Sequence, residues 1–227
     1  MGKSGQKPKG KVKIKWSADF SYALGLFAAD GSLSKDGRHI DFTSKDIEQV
    51  KNYSKCLGIK VVIGLKDKHD RNRSFRIQFS DVLFYRFLMD IGFTPAKSLT
   101  IREIQMPQKY FTDFLRGLFD GDGYSYSYFD PRWKSSFMFY IGFCSASKDF
   151  IDWLRSLIYK KWGMGGHVSS SKEKSPCYQL KYSKYEAVEL VKKMYYKNDI
   201  ICLSRKYLKI KESLGIVGAH KGRVFVP

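Results

Sequence analysis

The chain has 227 residues, and its 41 Lys and Arg against 22 Asp and Glu leave a net charge of +19. A hydrophobic share of 43% suffices for one large domain or two of about 100 residues each, and the positive excess points to a polyanionic partner, nucleic acid ahead of an acidic membrane surface. No apolar run approaches the roughly 20 residues of a membrane span, no signal-peptide core is visible, and Cys56, Cys144, Cys177 and Cys202 are too scattered for a zinc site or a disulfide framework. The expectation is a soluble intracellular protein, with no membrane partner, in the cytoplasm, the nucleoid or an organelle matrix.

Residues 1–15 carry six lysines and no acid, which reads as a flexible basic arm. Ser17 is placed to cap a first helix that runs into "ALGLFAADG" (23–31), where Gly31 reads as a left-handed stop and Asp30 stands at the negative end of the helix dipole. Alternating residues in "RHIDFT" (38–43) and "SFRIQFS" (74–80) predict strands, with helices near 45–57 and 81–91. Residues 94–106 read as a linker between an N-terminal half (16–93) and a C-terminal half (107–215), with a tail at 216–227. Pro107 suits the first turn of a helix that ends in "LRGLFDGDG" (115–123). Strands follow at 137–143 and 178–183, helices near 148–161 and 184–196, and "DRNR" (70–73) and "SSSKEKS" (169–175) read as hairpin loops.

The second half repeats the first. Asp122 takes the place of Asp30, Ser44-Lys45-Asp46 returns as Ser147-Lys148-Asp149, and "RIQFS" returns as "QLKYS", the last two at one common offset. Gly25 and Ala29, like Gly117 and Gly121, are small residues four apart, so each helix offers a stripe for close backbone approach. If these helices pair, Asp30 and Asp122 meet at one end, and two adjacent carboxylates call for a cation between them or a proton on one. A hard divalent ion such as Mg2+ takes carboxylate oxygens and the free carbonyls of a helix C-terminus. Asp-Gly is also a common turn pair, but its duplication together with the small-residue stripe favours the site.

The two stretches resemble the paired motifs of the LAGLIDADG homing endonucleases, in the single-chain form with two copies, over nearly the whole chain from Trp16 to Glu212. The second motif departs from the family's at Arg116 and Gly121, the first at Ala23, Leu24 and Ala28. The resemblance implies an α+β fold of two pseudo-symmetric αββαββα halves whose antiparallel sheets form a saddle over double-stranded DNA. It implies that Asp30 and Asp122 are catalytic, metal-binding acids, with the carbonyls of Ala29 and Gly121 as further ligands. It also implies an intron-encoded monomer that breaks both strands of a long asymmetric site with Mg2+, Mn2+ substituting and Ca2+ supporting binding without cutting. Asp120, without a counterpart in the first motif, reads as structural. Lys45, Lys97, Lys148 and Lys184 are the basic candidates to assist. Arg38, Arg73, Arg76, Gln78, Gln179 and Lys181 are of types that read base edges from the polar strand faces. Two other readings stay open on the same scaffold: an RNA-binding intron maturase and a noncatalytic DNA-binding regulator.

Overall fold

A computed structural model of the chain describes residues 10–66, 73–133, 136–171 and 176–220. The expectations for the arm at 1–9, for most of the loops at 70–73 and 169–175, and for the tail beyond 220 lie outside these residues. The first half runs α1 (Ala18–Asp30), β1 (Gly31–Leu33), β2 (His39–Ser44), α2 (Ile47–Leu57), β3 (Gly64–Lys66), β4 (Ser74–Ser80) and α3 (Val82–Asp90), followed by a short α4 (Lys97–Thr100). A single 3-10 turn at Gln108–Tyr110 leads into α5 (Phe111–Asp122), β5 (Gly123–Phe129), β6 (Phe137–Ser145), α6 (Lys148–Trp162), β7 (His167–Ser171), β8 (Cys177–Ser183), α7 (Lys184–Met194) and α8 (Ser204–His220).

Each half folds its strands into a four-stranded antiparallel sheet, ordered β1-β2-β4-β3 and β5-β6-β8-β7. The sheets show why the sequence alternates. Ile40, Phe42, Ile77 and Phe79 are buried under the first half's helices, as Phe139, Ile141, Phe143 and Leu180 are in the second. Their neighbours in sequence face the other way, leaving Asp41, Arg76 and Gln78 on one outer face and Tyr140, Gln179 and Lys181 on the other.

Between the sheets α1 and α5 lie side by side, buried on nearly every side. Ser17 Oγ caps α1 by accepting from the Phe20 N–H at 3.1 Å. The helices meet through glycine: a Cβ on Gly25 would lie 2.0 Å from the Phe114 carbonyl oxygen, and one on Gly117 would lie 2.1 Å from that of Tyr22. The two backbones are therefore in direct contact. Gly31 is not the left-handed stop expected of it. Its φ is −82°, and the chain passes straight into β1; glycine is required because a Cβ there would strike the Phe27 ring at 2.0 Å.

Three segments carry more structure than their sequence signals. The N–H groups of Lys11 and Val12 donate to Asp81 Oδ2 at 2.6 and 2.9 Å, and Val12 is buried, so the arm is tied down from Lys11 onward. The linker at 94–106 contains α4. Helix α8, with no forewarning in the periodicity, runs through residues 215 and 216, where the second half and the tail were divided.

Candidate active site at the paired helix ends

Asp30 and Asp122 are the last residues of α1 and α5. A helix C-terminus favours a cation, and here the chain brings one to each. Lys97, from α4, donates its ammonium to the carbonyls of Ala28 and Ala29 at 2.6 and 2.9 Å. Lys206, from α8, donates to those of Phe119, Gly121 and Gly123 at 2.7, 2.9 and 2.6 Å. Each aspartate thus sits at a helix end already served by an ammonium group, which offsets the unfavourable dipole. Gln49, buried on α2, donates Nε2 to Asp30 Oδ2 at 2.6 Å, and its own Oε1 accepts from Ser44 Oγ at 3.2 Å.

Burial pushes the Asp30 carboxyl up to about 6, with the Asp122 charge adding to the effect and Gln49, Lys97 and Lys206 opposing it. Asp122 is likewise raised by burial against the pull of both lysines. Burial lowers Lys97 and Lys206 to about 8, while the acids support their charge. The result is a cluster of two acids and two ammonium groups, with Lys97 buried, Asp30 and Lys206 half-buried and Asp122 open to solvent. A hard divalent cation fits this donor set, since it is made of carboxylate and carbonyl oxygens. Among the described residues no group of three or more His, Cys, Asp and Glu could hold a metal, so an ion at the two acids would need carbonyl, water or phosphate oxygens to complete its shell.

The four basic candidates separate in the fold. Lys97 is at the acids. Lys45 is exposed between β2 and α2, Lys148 pairs with Asp152 at 2.5 Å on the exposed side of α6, and Lys184 opens α7 with a φ of 50°. The carbonyls of Ala29 and Gly121 accept from Lys97 and Lys206, and each keeps a second lone pair. Gln49 and Lys206 escaped the sequence reading. Gln49 is one polar residue in an amphipathic helix, and Lys206 belongs to a helix that was not foreseen.

On the outer face of the first sheet, Asp41 organises the side chains expected to read DNA. It accepts from Arg76 Nε at 2.5 Å and from Gln78 Nε2 at 3.2 Å. Arg73 is exposed just before β4, and Arg38 is exposed in the β1–β2 turn, 3.6 Å from Asp36. The second sheet presents tyrosine instead. Tyr124, Tyr126 and Tyr128 of β5 and Tyr140 of β6 hold their rings nearly parallel, with Tyr126 and Tyr140 stacked at 4.7 Å between centroids. Gln179 Oε1 accepts from Tyr124 Oη at 3.2 Å, and the Lys181 ammonium lies 5.4 Å from the Tyr140 ring centre. The Tyr-Ser alternation of "YSYSYF" (124–129) was a strand signal for β5 that could have found them.

Two glycine-packed helices that end in paired acids, each leading into a four-stranded antiparallel sheet, define the LAGLIDADG fold, and the chain has it. Among solved structures it is similar to the LAGLIDADG homing endonuclease I-LtrWI bound to its target DNA, with a TM-score of 0.58 and 12% identity over 90% of this chain and 91% of that one. It is also similar to the homing endonuclease I-DmoI in complex with DNA and Ca (TM-score 0.55, 13% identity, 85% and 97% covered). The N-terminal LAGLIDADG domain of DUF199/WhiA has a TM-score of 0.53 at 16% identity, with 82% and 85% covered. Such identities establish a shared fold and no more. By sequence, 133 residues are 28% identical to an uncharacterized protein of Methanocaldococcus jannaschii, a match over 54% of this chain and 46% of that protein, or about half the relative's length. No family profile matches. Among the described residues no helix is long and apolar enough to cross a membrane.

Proposed function

We propose that the protein is a site-specific endonuclease that makes a divalent-metal-dependent double-strand break in a long, asymmetric DNA target. The observation that carries this reading is the pair Asp30 and Asp122 at the touching ends of α1 and α5, with a lysine at each end. Asp30 and Asp122 would hold the Mg2+, with the spare lone pairs of the Ala29 and Gly121 carbonyls available to it. Mn2+ would substitute, and Ca2+ would support binding alone. A bound Mg2+ supplies charge neutralisation at the phosphate and an acidified water. The chain's own residues do the rest. Gln49 donates to one oxygen of Asp30 and so fixes its carboxylate, while Lys97 and Lys206 hold positive charge at the helix ends, beside the place where a phosphodiester would sit.

Recognition falls to the two outer sheet faces. Arg76, Gln78 and Asp41 offer donors and an acceptor to base edges in the major groove, and Arg38, Arg73 and Lys181 offer charge to the backbone. Because the second face is a comb of tyrosines and the first a polar network, the two half-sites of the target differ. One chain contains both acids, so a monomer on DNA is complete, and an intron is the natural setting for such an enzyme.

A second reading, a DNA-binding regulator without catalysis, is favoured by one fact. The two ammonium groups already match the charge of both acids and occupy the helix-end carbonyls. The two readings part on incubation of the chain with a randomised duplex library in Mg2+ and in Ca2+, beside Asp30→Asn and Asp122→Asn. Cutting in Mg2+ that either variant abolishes, with binding in Ca2+ retained, is the expected result. Specific binding without cutting under any divalent ion would leave the regulator.

A further inference from the structure

Asp120 and Arg116 belong to the second motif alone, since Leu24 and Ala28 hold their places in the first. Both are fully buried, and both face the chain between α7 and α8. The Asp120 carboxylate accepts from Tyr22 Oη at 2.7 Å, from Tyr195 Oη at 3.2 Å and from the Leu203 N–H at 2.7 Å. Arg116 donates Nε to the Ile201 carbonyl at 3.0 Å and Nη1 to that of Met194 at 3.2 Å, with Asp113 as its counter-ion at 2.9 Å.

The geometry at Leu203 links this polar latch to Lys206. The Leu203 carbonyl accepts from the N–H groups of Lys206 and Tyr207 at 3.0 and 3.1 Å, so the first turn of α8 is built on the residue that Asp120 holds. The Lys206 ammonium then returns to the carbonyls of Phe119, Gly121 and Gly123, on either side of Asp120 in the chain. The circuit begins and ends on the same turn of α5. In the first half the equivalent approach is apolar: the chain leading to Lys97 packs Phe93 edge-on against Phe27, with ring centres 5.1 Å apart.

We propose that Asp120 is a positioning residue, which sets Lys206 over the end of α5 and on which only the half of the site at Asp122 depends. The consequence for cleavage rests on the endonuclease reading; the consequence for Lys206 does not.

The test uses the full chain with Asp120→Ala, and with Asp120→Asn, which keeps an acceptor for the Leu203 N–H. Lysines are acylated with an N-hydroxysuccinimide ester, and the rates at Lys97 and Lys206 are followed by mass spectrometry. In Asp120→Ala, acylation of Lys206 is expected to rise by about tenfold while Lys97 is unchanged, with Asp120→Asn in between, as local rather than global opening requires. An unchanged rate at Lys206, or an equal rise at both lysines, overturns the proposal. On a duplex that the wild type cuts, with the two strands labelled differently, Asp120→Ala should cut one strand normally and the other about tenfold more slowly, matching Lys206→Met and accumulating a nicked product. Equal slowing of both strands overturns strand-selective positioning. If the wild type cuts neither strand, the endonuclease reading fails, and the acylation ratio alone decides the fate of the latch.

Discussion

Replacing Gly25 by alanine should drive α1 and α5 apart. The added Cβ would lie 2.0 Å from the Phe114 carbonyl oxygen and 2.7 Å from the Leu118 nitrogen, both backbone atoms of a buried helix that cannot rotate out of the way. A carbon and an oxygen in ordinary contact need more than an additional 1 Å or so, and overpacking of this kind costs about 3 kcal/mol. Alanine returns about 1 kcal/mol of helix propensity relative to glycine. The net loss of about 2 kcal/mol corresponds to a fall in Tm of roughly 4 to 8 °C for a chain of this size. If the protein is an endonuclease, separating the helix ends by about 1 Å should also lower the cleavage rate about 100-fold. Thermal unfolding followed by circular dichroism reads the first effect. An unchanged or raised Tm would refute the backbone contact on which the paired site depends. Gly117→Ala, against the Tyr22 carbonyl, should behave alike, and the double variant should cost less than the sum because one separation relieves both clashes.

Three other outcomes follow from the site and the sheets. Because burial raises the folded Asp30 carboxyl to about 6, the metal-free folded chain binds more protons than the unfolded chain between about pH 4 and 6, and it should lose on the order of 2 kcal/mol as pH rises through that window. Ca2+ should therefore raise Tm more at pH 7.5 than at pH 5, and a shift independent of pH would contradict the site. Asp41→Ala should free Arg76 and Gln78 and change base preference at one or two target positions by about 1 to 3 kcal/mol, as read by selection from a randomised library; an unaltered preference would remove that face from recognition. Tyr140→Ala, which breaks the stack with Tyr126 and the contact with Lys181, should lower Tm and weaken DNA binding measured by fluorescence anisotropy, and unchanged affinity would count against the tyrosine comb.

What was legible in the sequence followed from burial pattern and local chemistry. Phe137, Phe139, Ile141 and Phe143 alternate because one sheet face is covered, and the small residues at 25, 29, 117 and 121 repeat because two backbones touch. Short strands such as β1 and β3 have too few residues for a period to declare itself. Gly31 was misread since glycine before a strand answers here to the Phe27 ring rather than to a left-handed turn. The lysines of the site were harder to see. Lys97 and Lys206 lie far from the motifs in sequence and reach them only through tertiary contacts, and in a chain with 41 basic residues a single lysine has no distinguishing local signal. Asp41, by contrast, lay in a predicted strand, but its direct partner Gln78 and its diagonal partner Arg76 are set by cross-strand register that no single strand reveals.

The placement of Lys97 and Lys206 also fixes where the molecule can be cut and recombined. A first half excised at residue 93 would leave behind the lysine that serves its own aspartate, and a second half that stopped before α8 would do the same. Moreover, Ser204 and Arg205 of α8 bind Glu48 of α2 and Asp46 just before it, so the second half is fastened to the first through these acids. The transferable module runs through Thr100 on one side and through Ser213 on the other, where the Ser213 hydroxyl meets that of Ser127. Chimeras of two such proteins joined after α4 draw α2 and α8 from different parents, so both parents must share the acids at 46 and 48 and the residues at 204 and 205 that bind them.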